Sequence, residues 1–192
     1  MDLEAFFRGE MAAHQNAAKA TAGALAGPFC ELAGLCAGAV RDGNKIIFFG
    51  NGGSAADAQH LATELCVRYR ADRAPIAAMA LTTGGPMLSA IGNDFGFEDI
   101  FARQITAVGK PGDVAIGIST SGASANVIRG LEAAKKAALK AAGLTGRDGG
   151  RMKGLADPLL MVPSDDTARI QEMHITLGHM LCAALEKELG LL

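Results

Sequence analysis

The chain has 192 residues, 49% of them hydrophobic, a formal net charge of −2, no Trp and one Tyr. That length suits one domain, and Lys and Arg are dispersed rather than gathered into the basic face that nucleic-acid binding needs. The apolar excess lies in alanine and glycine, with no run approaching a bilayer span, so neither a membrane nor a nucleic acid is expected as a partner. The start, MDLEAFFRGE, is acidic and amphipathic rather than a basic leader with an apolar core, which reads as cytoplasmic. Cys30, Cys36, Cys66 and Cys182 sit in apolar helical contexts without CxxC spacing, the pattern of reduced, buried thiols.

Residues 2–26 place Leu3, Phe6, Phe7, Met11 and Leu25 among polar residues, a long amphipathic helix ending near Gly27-Pro28, and a second helix follows over about Phe29–Arg41. Both precede any strand and lack an obvious sheet to pack on. The first is expected to help build an oligomer or to lie over its own domain. The chain is thus read as one domain, 1–192, with N-terminal helices over 1–42 and an α/β core with a C-terminal helix over 43–192.

From Lys45 onward strands and helices alternate. Strands are expected at Lys45–Phe49, Ile76–Leu81, Val114–Ser119, Ala138–Thr145 and Leu159–Val162. Helices are expected at about Ser54–Tyr69, Gly85–Gly92, Phe97–Val108, Ser124–Lys136 and Thr167–Glu188. This alternation implies a five-stranded parallel sheet with helices on both faces. KKAALKAAGLTG is alanine-rich enough that the fourth strand could instead extend the helix before it.

The central stretch is KIIFFGNGGSAADAQHLATE, Lys45–Glu64. Its apolar run suits a strand buried on both faces. Gly50, Gly52 and Gly53 then allow a tight turn, and Ser54 or Asn51 can cap a helix starting near Ala55. Such a helix start offers free N–H groups to an anion, although the turn matches neither the dinucleotide fingerprint nor the P-loop and occurs in α/β proteins of many functions. His60 and Glu64, four residues apart, share a helix face and can jointly hold a metal or move protons, or simply form a surface pair.

A second strand end, DVAIGISTSGAS, gathers Ser119, Thr120, Ser121 and Ser124 where a phosphate or sugar phosphate would fit. Between these turns Asn93 and Asp94 are expected in a turn flanked by helices, where Asp94 can reach sugar hydroxyls or form the turn itself. In RIQEMHITLGHMLCAALE, Gln171 and His179 lie about 80° apart around a straight helix and about 12 Å along it. Sharing one ligand would take extended side chains, an irregularity near Gly178, or two subunits. His174 points to a different sector and reads equally well as a core histidine.

Together GNGGSAADAQH, AIGNDFGFEDIFARQ, GDVAIGISTSGASANVI, LTGRDGG and RIQEMHITLGH resemble the sugar isomerase (SIS) domain family, and more closely its sedoheptulose-7-phosphate isomerases, over nearly the whole chain and in the family's order. The resemblance implies a three-layer, Rossmann-like SIS fold and a homotetramer built partly through the N-terminal helices, with active sites at subunit contacts. It implies isomerisation of sedoheptulose 7-phosphate to D-glycero-D-manno-heptose 7-phosphate, the first step of nucleotide-heptose synthesis for bacterial surface glycans such as lipopolysaccharide. Carried over by position, Asn51, Gly52, Gly53, Ser54, Asn93, Asp94, Ser119, Thr120, Ser121, Ser124 and Gln171 would bind substrate. Glu64 would be the base and His179 the acid. His60, Glu64, Gln171 and His179 would hold zinc, one ion per subunit. Some members carry an acid three residues before the glutamine, where this chain has Ala168, with Asp165 and Asp166 only nearby.

A non-enzymatic tetrameric SIS protein that binds the replication initiator is the alternative, since ARIQEMH resembles those proteins too. They lack the pairing of glutamate and second histidine that Glu64 and His179 supply here. A transcriptional sugar-phosphate sensor is the weaker alternative, because no helix-turn-helix accompanies the domain.

Overall fold

A computed structural model describes all 192 residues. Five parallel strands form one sheet: β1 (Ile46–Gly50), β2 (Ala78–Ala80), β3 (Val114–Ser119), β4 (Lys140–Gly146) and β5 (Leu159–Val162), in the order β2-β1-β3-β4-β5. Every residue of β1 and β3 is buried, and successive side chains feed opposite cores. Ile46, Phe48, Val114, Ile116 and Ile118 join one core, while Ile47, Phe49 and Ala115 join the other. A continuous apolar run rather than an alternating one is therefore what each of these strands needs.

On the first face lie α2 (Ala26–Arg41), α3 (Gly53–Cys66) and α7 (Thr167–Glu188), with α1 (Leu3–Ala24) laid over α7. On the second lie α4 (Gly85–Asp94), α5 (Ile100–Val108) and α6 (Ala125–Lys136). The result is the expected three-layer α/β arrangement. No single helix is long and apolar enough to cross a membrane.

The second helix does find the sheet. Leu32, Ala33, Cys36 and Ala37 of α2 are buried in the core that β1 and β3 line. By contrast α1 buries only Ala17 and Thr21 and exposes Leu3, Phe6, Phe7 and Met11. It is clipped to α7 by polar contacts: Arg169 Nη1 donates to the Glu10 carbonyl (2.7 Å), Arg169 Nη2 pairs with the Glu10 carboxylate (3.3 Å), and His14 Nδ1 meets Glu172 at 2.8 Å.

Several boundaries differ from expectation for identifiable reasons. The break between α1 and α2 falls at Leu25, and Gly27-Pro28 lies in the first turn of α2, where proline's missing N–H would have had no helical partner anyway. Strand β2 is shorter than Ile76–Leu81, because the Ile76 N–H donates to the Leu65 carbonyl at the end of α3 (3.0 Å) instead of to a strand. Helix α3 stops at Cys66 rather than Tyr69, since the N–H groups of Tyr69 and Arg70 turn away to a buried carboxylate on α7.

The fourth strand exists despite its alanines. Helix α6 ends at Lys136, Ala138 takes a left-handed φ of 60°, and the slot between β3 and β5 claims the next residues. Cys36 and Cys182 are buried, and desolvation pushes both thiols up, that of Cys182 to about 12; Cys30 and Cys66 are exposed instead.

Candidate active site

Strand order reverses between β1 and β3, since the chain leaves β1 for β2 on one side and crosses back to β3 on the other. Ligands of open α/β sheets bind in the crevice that opens there, beyond the strands' carboxyl ends. Gly50 ends β1 with no space for a side chain; an added Cβ would stand 2.7 Å from the Ile118 carbonyl and 2.8 Å from Ser54 Cβ. Gly52 follows at φ 55°, ψ −121°, a conformation open to glycine. Helix α3 begins at Gly53, so the N–H groups of Gly53 and Ser54 belong to the first turn, which has no helical acceptors.

Neither expected side-chain cap forms. Asn51 exchanges two amide hydrogen bonds with the buried Asn126 of α6, each 2.8 Å, and Ser54 sits inside α3. Ser124 occupies the N-cap position of α6, yet its hydroxyl meets Ser119 Oγ at 3.1 Å instead of the helix. Asn51, Ser54, Ser119, Thr120 and Ser124 thereby line one cavity of about 110 Å³. Ser121 turns aside and accepts from the Ala123 N–H (3.2 Å). The TGRDGG loop supports this turn from behind, with Gly149 and Gly150 packed on Gly122, where an added Cβ has no room.

A second group sits further along α3. His60 and Glu64 share its face, with His60 Nε2 3.5 Å from Glu64 Oε1, and α7 brings His179 Nε2 to 2.8 Å from His60 Nε2. Tyr69 stacks on the other side of His179, its ring centroid 5.5 Å away. Two imidazole nitrogens and a carboxylate are donors that zinc prefers, so the residues fit the ion by type. No three His, Cys, Asp or Glu groups of the chain stand at coordinating geometry. Gln171 lies apart from the histidines, with its carboxamide against Gly53, and about 10 Å of helix separates Gly53 from His60. It borders the anion cradle.

Because Gly53 makes room for Gln171, Gly53→Ala should displace a flexible side-chain end rather than backbone. The expected result is a folded protein, its thermal midpoint within a few degrees of wild type, with kcat/KM reduced about ten-fold by the misplaced carboxamide. A coupled assay and a melting curve check both halves.

Asn93 and Asp94 form the last residues of α4, not a separate turn. Asn93 Nδ2 donates to Asp94 Oδ1 (2.8 Å), both are exposed, and no hydrogen bond joins them to the serine cluster. His174 is a core residue: fully buried, its Nε2–H donates to the Thr145 carbonyl (3.0 Å), and desolvation drives its pKa down to about 4. Asp166 caps α7 by accepting from the Ala168 N–H (2.8 Å).

Two carboxylates line a cavity with Ala168 and Gln171: Glu172, which is already paired with Arg169, and Asp57. Burial pushes the Asp57 pKa up to about 6, partly offset by His60, and its Oδ2 has no hydrogen-bond partner. Sequence reading passed over Asp57, Tyr69 and Asn126. For Asp57 a signal existed, since Asp57, His60 and Glu64 recur at the three- and four-residue steps of one helix face. For Asn126 and Tyr69 only the fold reveals the contact.

Comparison with known proteins agrees with this geometry. Residues 10–146 match the SIS domain. The chain is 55% identical over 186 residues to the phosphoheptose isomerase of Paramagnetospirillum magneticum, covering 97% of each, and 55% identical over 157 residues to that of Aquifex aeolicus, covering 82% of each. The structure of phosphoheptose isomerase from Neisseria gonorrhoeae superposes with a TM-score of 0.91 at 42% identity, covering 96% of this chain and 99% of that one. That from Francisella tularensis gives 0.94 at 33% identity, covering 97% and 100%. With full-length similarity at this level, the chain belongs to the SIS domain family and, within it, to the phosphoheptose isomerases.

Proposed function

We propose that the chain is an aldose–ketose isomerase converting D-sedoheptulose 7-phosphate into D-glycero-D-manno-heptose 7-phosphate through an enediol. One observation carries this reading: a hydroxyl-lined anion cradle and a group of Glu64, His60 and His179 occur together in the fold of the phosphoheptose isomerases. Ser54, Ser119, Thr120 and Ser124, with the first N–H groups of α3, would hold the phosphate, and Asn51, Gly52, Gly53 and Gln171 border the sugar. Ser121 would join the phosphate contacts, and Asn93 and Asp94 those of the sugar. A sugar phosphate's fixed charge does not cross a bilayer unaided, which supports a reaction in the cytoplasm.

Isomerisation moves one proton between neighbouring carbons. Glu64 would remove it from C1 of the ketose and return it to C2, while His179 gives a proton to O2 and takes one from O1. His60 holds the His179 ring edge and shares its proton. His60, Glu64 and His179 are the residues that would hold a zinc ion, which when bound would supply Lewis-acid polarisation of the carbonyl oxygen, while Gln171, apart from the histidines, would serve the substrate.

The proposed homotetramer would set each site at a subunit contact, bordered by a neighbouring copy. An apolar cavity of about 410 Å³ between α1, α2 and α7, lined by Leu25, Phe29, Met173 and Met180, supports packing of the N-terminal helices against other copies.

The test is conversion of sedoheptulose 7-phosphate followed by NMR. Wild type should produce aldose phosphate. Ser124→Ala, which removes one hydrogen bond to a charged group, should raise KM about ten-fold or more with kcat little changed. A folded wild type without turnover, with or without zinc, would refute the isomerase reading.

A further inference from the structure

We propose that Tyr69 is a positioning residue for His179, held over the imidazole by a buried Glu186–Arg73 pair; the inference rests on the isomerase reading above. Tyr69 and His179 stack with an interplanar angle of 22°, while His60 meets the same ring edge-on at 68°. His179 is therefore gripped on one face and one edge, which fixes the direction of the Nε2 that faces His60.

Tyr69 is placed by main-chain contacts. Past Cys66 the chain leaves the helix, and the N–H groups of Tyr69 and Arg70 donate to the Glu186 carboxylate at 3.2 and 3.3 Å. Glu186 is seven residues beyond His179, two turns along the same face of α7. It pairs with Arg73 Nε at 3.0 Å, the two side chains being 0% and 2% exposed. Arg73 also donates to the carbonyls of Leu65 (2.7 Å) and Glu64 (2.9 Å).

A single guanidinium and a single carboxylate thus join the end of the helix carrying Glu64, the helix carrying His179, and the segment carrying Tyr69. A buried ion pair adds little net stability over apolar residues of equal volume. What this one supplies is a fixed spacing between base and acid, with an aromatic plate beneath the acid.

The contact uses the ring face, so the ring rather than the hydroxyl should matter. Tyr69→Phe should keep kcat within about two-fold of wild type, and Tyr69→Leu should lower kcat about ten- to a hundred-fold with KM changed by no more than about three-fold. Wild-type kcat in Tyr69→Leu, a loss confined to KM, or an equal loss in Tyr69→Phe would each overturn the proposal. An inactive wild type overturns the isomerase reading itself, and is seen before any variant is made.

A second readout needs no Tyr69 variant. With one Tyr and no Trp, ultraviolet emission of the chain reports Tyr69 alone. His179→Leu should change that emission in the folded protein, and an unchanged spectrum means that the stack is absent in solution and the proposal fails.

Discussion

Glu64→Gln is expected to lower kcat by about 10²–10⁴-fold, the range general-base catalysis commonly supplies, while leaving KM and stability near wild type. The substitution keeps the shape and one oxygen and removes the negative charge, and with it the ability to take a proton. Stability should hold, because Arg73 grips the Glu64 main-chain carbonyl and not its carboxylate. The Glu64 side chain is 23% exposed and its carboxylate already has His60 beside it, so the amide that replaces it has a partner within reach. Deuterium uptake at C1 of the ketose in heavy water reads the base directly and should disappear with turnover. Persistent exchange in a folded Glu64→Gln protein would move the base elsewhere, with Asp57 the next carboxylate along the same helix face.

The largest effect on stability is expected from Glu186→Gln, about 3–5 kcal/mol, because it strands the Arg73 guanidinium in the interior without its counter-charge. Burial opposes charge on Glu186, but the Arg70 and Tyr69 N–H groups and Arg73 outweigh it and hold the carboxyl below its usual range. Since the folded pKa is depressed, this contribution is complete above the unfolded value of about 4.3 and fades as pH falls toward the folded one. Urea unfolding should show a wide gap between wild type and Glu186→Gln at pH 7, narrowing in acid because only wild type carries the titrating group. A constant gap down to the acid limit would mean that the loss comes from packing and not from charge.

Most of the fold was legible because local pattern and tertiary role coincide in it. The runs at Ile46–Phe49 and Val114–Ile118 are apolar on both faces because both faces are covered, and no other environment suits them. Where local preference and tertiary role diverge, the residues alone decide less. The alanines before Gly143 favour helix, and only the vacant slot between two strands makes them β4. Pro28 looks like a helix stop and is a helix start. Ser54 and Ser124 look like caps, yet both hydroxyls face the cavity they line.

In the site, spacing along one helix found His60 and Glu64, and similarity of motif brought in His179. Nothing in the residues around Tyr69 says that its ring meets a histidine 110 positions later, because that contact is made by Glu186 pulling two amides out of a helix. Gln171 was placed correctly on α7, but its position over Gly53 depends on a missing Cβ in another helix.

The paired amides of Asn51 and Asn126 carry a consequence for how substrates are told apart. Each amide gives one hydrogen bond to the other and takes one from it, so the two segments that would close on the anion are latched together by the fold itself. Most of the ordering entropy of the grip would then be met during folding, and an arriving phosphate would have little left to organise. A rigid handle of this kind is indifferent to the sugar attached to it. Discrimination between sugar chains of different length falls to the far end, where reach decides which carbon comes to rest against the base.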